Sequence, residues 1–148
     1  MKNLLLAGAA AIALAAGVPA FAATDAAPAT AVVSNNVLLK EWTGPYGGVP
    51  PWDQVKPELF PEAFQVGIDQ LLAETDAIAN NTAYPSFENT IEAMEKSGRT
   101  LDRVQALFGV MTDNMSTPAY QALDKDWSPK LSAAYDKINL NSKLFARI

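Results

Sequence analysis

Carboxylates are the only side chains in this sequence whose type and spacing could do chemistry. Asp124 and Asp126 stand two residues apart, and Glu92 and Glu95 three apart. Two carboxylates at a suitable separation can act as acid and base, as in glycoside hydrolysis. Both pairs, however, fall on the polar sides of amphipathic patterns, where a solvated surface is their ordinary role. Neither spacing matches a calcium loop, which needs a turn glycine and more oxygen ligands. The other routes to chemistry close for want of residues, because the chain has no histidine and no cysteine. That excludes a zinc site held by imidazole or thiolate and any nucleophile system built on cysteine or on a serine–histidine pair. Gly47-Gly48 lacks the glycine spacing and the following helix of a phosphate loop. Met94, Met111 and Met115 recur at helical spacing, which reads as core rather than as a metal box. The sequence therefore yields no catalytic, cofactor-binding or metal residue.

The elements that carry these residues are helical. Phe60, Phe64, Ile68, Leu71, Leu72 and Ile78 recur at steps of mostly three and four, which predicts a helix from about Pro61 to Asn80. Pro61 suits a first turn, where its missing N–H costs nothing. Ser86 is placed to cap a second helix. Its stripe runs through Phe87, Ile91, Met94, Leu101, Val104, Phe108, Met111 and Met115, with Gly98 on the same side. A glycine there could break the helix, at about 1 kcal/mol relative to alanine, or let a neighbouring helix approach closely; because the stripe keeps its phase across Gly98, one long helix to about Asn114 is expected. Glu92 with Lys96 and Glu95 with Arg99 are i,i+4 pairs in the favoured order. Thr117 and Pro118 open a third helix, with Tyr120, Leu123, Trp127, Leu131, Tyr135 and Ile138 on its apolar side. Pro129 should kink it and free the Lys125 carbonyl. Asn141 can cap a fourth, carrying Leu144, Phe145 and Ile148. Strand-like alternation is missing after Pro57. The fold class is all-α, an antiparallel helical bundle with short loops.

Ahead of the helices, residues 1–22 read as a secretory signal peptide: Lys2, an uncharged run from Leu4 to Val18, then Pro19 and Ala20-Phe21-Ala22. The run is short for the roughly 20 apolar residues of a membrane span, so a stable membrane anchor is not expected. Export, to the periplasm in a bacterium, is. Residues 23–36 read as a flexible spacer rich in Ala and Thr, and residues 37–148 as the helical region. Gly44 to Asp53 holds three glycines and three prolines, which stops regular structure. Tyr46 and Trp52 suggest that this loop is pinned to the body. Cleavage after Ala22 would remove Lys2 alone, leaving 10 basic residues against 16 acidic, a net charge of −6. Such a surface repels phosphate backbones, which argues against a nucleic-acid partner.

Several runs carry a family resemblance. Leu39 to Asp53 (Leu-Lys-Glu-Trp-Thr-Gly-Pro-Tyr-Gly-Gly-Val-Pro-Pro-Trp-Asp), Lys56-Pro57-Glu58, Asp76 to Asn81, Pro85 to Ile91, Ser97 to Val104, Leu140-Asn141 and Leu144 to Ile148 are similar, in order, to the N-terminal part of bacterial peptidyl-dipeptidases. These dipeptidyl carboxypeptidases fall in the thimet oligopeptidase family of zinc metallopeptidases. The resemblance implies a helical enzyme that cleaves short peptides in a deep channel, with its zinc on a His-Glu-x-x-His helix far downstream. It makes this chain the cap region of that enzyme, truncated at its C-terminal end, with the catalytic half missing and no zinc or other cofactor of its own. No family catalytic residue carries over to any position here. The competing expectation is a self-standing periplasmic module that binds peptides or proteins without catalysis.

Overall fold

The computed structural model describes residues 35–45 and 48–148. The signal peptide, nearly all of the spacer and the Tyr46 anchor lie outside the described residues. Within them the fold is all-α: α1 (Phe60–Ala79), a π-helical segment (Phe87–Glu92), α2 (Ala93–Lys96), α3 (Arg99–Asn114), α4 (Pro118–Asn139) and α5 (Ser142–Phe145). Among the described residues no strand forms, and one isolated bridge pairs Thr43 with Val49.

Helix α1 is the centre of the assembly and packs against α3, α4 and α5. Its buried side carries Phe60, Ala63, Phe64, Gly67, Ile68, Leu71, Thr75 and Ile78, at the three- and four-residue steps of a helical stripe. Gly67 lets α3 come close, since a Cβ there would stand 3.0 Å from the Leu101 Cα. Five aromatic rings fill the space between α1, α3 and α4. Phe108 meets Phe60 and Phe64 edge-on, both at 5.1 Å, and Phe64 lies 5.4 Å from Trp127. Edge-to-face geometry lets the positive rim of one ring face the negative face of another, worth about 0.5–1.5 kcal/mol per pair beyond burial. Thr75 is buried without penalty because its hydroxyl donates to the Leu71 carbonyl at 2.9 Å.

The chain before α1 is stapled to it. Asn36, read from the sequence as spacer, is buried. Its side chain accepts from the Leu38 N–H at 3.0 Å and donates to the Leu59 carbonyl at 2.8 Å and the Glu62 carboxylate at 3.1 Å. The ordered region therefore includes Asn36, because an amide with acceptor and donor both engaged satisfies itself away from water. Leu38, fully buried, drives the same anchoring.

The expected single helix from Ser86 to Asn114 is broken at Gly98. Ser97 is extended (ψ 158°) and Gly98 is left-handed at φ +77°, where it precedes the first residue of α3. Two contacts hold the break: the Gly98 N–H donates to the Glu74 carboxylate at 2.7 Å, and the space beside its Cα is taken by Leu71. A tertiary hydrogen bond and a close approach override the continuous apolar phase. The break also separates Glu95 from Arg99, which form no ion pair, whereas Glu92 and Lys96, on one continuous turn, do. It splits the methionine face as well. Met94 packs beside Ile78 and Leu144, Met111 packs against the main core, and Met115 is 60% exposed.

Helix α4 runs through Pro129 and buries Tyr120, Trp127 and Ala134, with Leu123, Leu131 and Ile138 half-buried. Thr117 does not cap it through its side chain; its backbone carbonyl accepts from the Gln121 N–H instead, at 3.0 Å. Asn141 does cap α5, accepting from the N–H groups of Lys143 and Leu144.

Candidate functional site

The carboxylate pairs do not converge. Asp124 is exposed on α4 and accepts from the Ser128 hydroxyl one turn on, at 2.7 Å; Asp126 and Glu95 are exposed too. Among the described residues no three acidic side chains stand close enough to hold a metal ion. Gly48 serves a turn, not a phosphate: a Cβ there would collide with the Trp42 carbonyl oxygen at 2.5 Å. Trp52, expected to pin this loop, is exposed, and the half-buried aromatic against the core is Trp42.

The densest polar constellation lies around Asn89 and Arg147. Ser86 is extended, so its hydroxyl can accept from the Asn89 N–H at 3.2 Å, while the Asn89 side-chain oxygen accepts from the Ser86 N–H at 2.9 Å. This reciprocal capping box satisfies two donors at the start of the π-helical segment. The same Asn89 oxygen also accepts from the Thr90 hydroxyl and from Arg147 Nη2, both at 2.9 Å, and the Asn89 amide donates to the Tyr84 carbonyl at 2.9 Å. Arg147 Nη1 donates to the carbonyls of Asn81 at 2.6 Å and Ala83 at 3.1 Å. Lys143 reaches the Asn80 side-chain oxygen at 2.7 Å. The end of the chain is thus tied to the connection after α1 by charge-assisted bonds, which are stronger than neutral ones. Beside it, Glu88 is held below its ordinary pKa of 4.5 by its own backbone N–H and the Ser86 hydroxyl.

This polar clamp is surrounded by apolar side chains in water. Tyr84 is 92% exposed and Phe87 66%; Leu140, Phe145 and Ile148 are 83%, 78% and 68% exposed. A cleft of about 110 Å³ opens between Met94, Ile138, Leu144, Phe145 and Ile148. The sequence pointed to Ser86 as a cap but not to the convergence on Asn89. A Ser-x-x-Asn spacing was its only local sign, and Arg147 stands 58 positions after Asn89 with no sign between them. No described helix is long and apolar enough to cross a membrane.

Without histidine or cysteine, and without a cluster of acids among the described residues, this chain's own side chains do not fit a zinc site. What the described residues do show here is a polar clamp with exposed apolar side chains beside it. No family model matches the chain. Over 116 residues it is 40% identical to the dipeptidyl carboxypeptidase of Salmonella typhimurium, a match covering 78% of this chain and 17% of that protein. Over 113 residues it is 40% identical to the dipeptidyl carboxypeptidase of Escherichia coli, covering 76% of this chain and 16% of that protein. The chain thus spans about a sixth of the length of these relatives. Identity at this level over about three quarters of the chain makes it similar to one segment of the dipeptidyl carboxypeptidases, a helical one in this structure.

Proposed function

We propose that this chain is a non-catalytic helical segment of an exported zinc peptidase that cleaves short peptides, and that it works by packing onto the catalytic part of that enzyme. The observation that carries this reading is the identity just described, spread over most of this chain but a small share of its relatives. The residue inventory supports it, because a chain without histidine or cysteine offers no conventional zinc ligands beyond carboxylates. Zinc and peptide substrate belong, in this reading, to residues outside this chain. Export rests on Lys2, the apolar run from Leu4 to Val18 and Ala20-Phe21-Ala22.

A hybrid enzyme tests the proposal. Residues 35–148 replace the stretch they match in the Escherichia coli dipeptidyl carboxypeptidase, and peptide hydrolysis is assayed. The hybrid is expected to stay folded and active, while the chain alone neither retains zinc after dialysis nor hydrolyses a blocked peptide. An insoluble or inactive hybrid, or turnover by the purified chain alone, would refute the reading. Intact-mass measurement on a periplasmic extract, with a chain starting at Ala23 as the expected result, tests export separately.

A further inference from the structure

We infer that the apolar surface around the Arg147 clamp, made by Tyr84, Phe87, Phe145 and Ile148, is the seat of an apolar segment from the rest of the peptidase; this rests on the reading above. Three observations carry it. First, these side chains are in water while their backbones are fixed. Arg147 bonds to Asn81, Ala83 and Asn89, and Asn89 in turn holds Tyr84 and Ser86. Large side chains displayed on a pre-ordered backbone lose little further entropy when covered, which is the condition for a strong contact. Aromatic residues dominate such contacts.

Second, the surface has a receptor as well as ridges. The cleft between Met94, Ile138, Leu144, Phe145 and Ile148 has room, at about 110 Å³, for a side chain rather than a small-molecule substrate. Its lining is mostly apolar, and pockets for small ligands are several times larger. Third, the Salmonella relative extends well beyond the match: 17% of it is covered, so the other 83% is available to supply the occupant. A second copy of this chain is the weaker choice, because each copy brings a net charge of −5 and like-charged bodies repel.

The test compares one pair of substitutions in two settings. Phe87→Ser and Phe145→Ser are made together in the isolated chain and in the hybrid enzyme. In the isolated chain both side chains already face water, so the unfolding midpoint should not fall. In the hybrid, thermal inactivation should accelerate about tenfold or more, as expected when buried anchors are lost. An active hybrid whose inactivation rate is unchanged by the pair would overturn the inference and leave the family reading standing. An inactive parent hybrid would overturn both. A concentration-dependent dimer of the isolated chain that the pair abolishes would assign the surface to a second copy, against the inference.

Discussion

Replacing Gly98 by alanine should destabilise the protein, although the apolar pattern around it reads as helix. Gly98 has φ +77°, and a left-handed conformation costs an L-residue with a Cβ about 1–2 kcal/mol. The new Cβ would stand 3.0 Å from Leu71 Cδ1. That is the free end of a flexible side chain, so a shift of a few tenths of an ångström relieves it at a cost below about 1 kcal/mol. Against these, alanine restricts the unfolded chain and returns about 0.4–1 kcal/mol. The net is a loss of about 1 kcal/mol, or roughly 4 °C in Tm for a body of this size. Gly109, inside α3, is the internal comparison. A Cβ there meets nothing within 4 Å, so Gly109→Ala should gain about 0.5–1 kcal/mol from helix propensity alone. Urea unfolding followed by circular dichroism at the helix band, on both variants and the parent, measures the two signs. If Gly98→Ala were as stabilising as Gly109→Ala, residues 87–114 would run as one helix in solution, and the break with its Glu74 hydrogen bond would not be the native state.

Asn89→Ala removes one side of the capping box and the acceptor for Arg147. It should cost about 2 kcal/mol, with hydrogen exchange accelerating first in residues 81–92; unchanged exchange there would mean the clamp is not formed. Tyr120 is pushed above its ordinary pKa of 10.0 by burial and by the nearby Glu58. A raised acid favours the protonated fold, so its contribution is fully present below pH 10 and is lost as pH rises through the higher folded value. Tyr120→Phe should therefore flatten the alkaline arm of the stability profile and cost little at pH 7, the buried hydroxyl having no hydrogen-bond partner; an unchanged alkaline arm would contradict this. Tyr135, raised by partial burial and Asp102, should give a second alkaline contribution, seen as a further flattening in the Tyr120→Phe/Tyr135→Phe double variant.

The helices were legible where one apolar face met one core. Phe60, Phe64, Leu101, Val104, Phe108, Tyr120 and Trp127 were on the expected stripes and are buried. Caps were legible when the capping residue acts within three residues, as Ser86 and Asn141 do. At Gly98 the glycine allowed either a break or a continuous helix, and the contact that decides for the break lies 24 residues away at Glu74. Periodicity reports which side is apolar; it is silent on whether the backbone stays continuous when a distant carboxylate competes for one N–H. Asn36 escaped for the same reason. Its partners Leu59 and Glu62 follow it by more than twenty residues, and its neighbours in sequence look like spacer. The carboxylate pairs were read as surface, and Asp124, Asp126 and Glu95 are exposed. Beyond the Ser-x-x-Asn spacing at Ser86 and Asn89, the Asn89–Arg147 clamp had no local signature to find.

The arrangement separates two kinds of apolar surface. One kind, the aromatic cluster shared by α1, α3 and α4, is closed within the described residues: Phe60, Phe64, Phe108, Tyr120 and Trp127 are all buried. Burying side chains of this size is worth about 1.5–3 kcal/mol each, which is the source of a fold in a chain with no disulfide to help. The other kind is held open at the far end of α1. There Ile78, Ala79 and Leu144 form a second, small cluster, and the polar network of Asn80, Asn81, Asn89, Lys143 and Arg147 does the ordering. Polar bonds fix geometry without demanding that neighbouring side chains be buried, so Phe87, Leu140 and Phe145 can stay in water on an ordered backbone. A body whose aromatic cluster is buried and whose last turns are set by hydrogen bonds presents an ordered surface as well. In the function proposed above, that ordered surface is what meets the catalytic part of the enzyme.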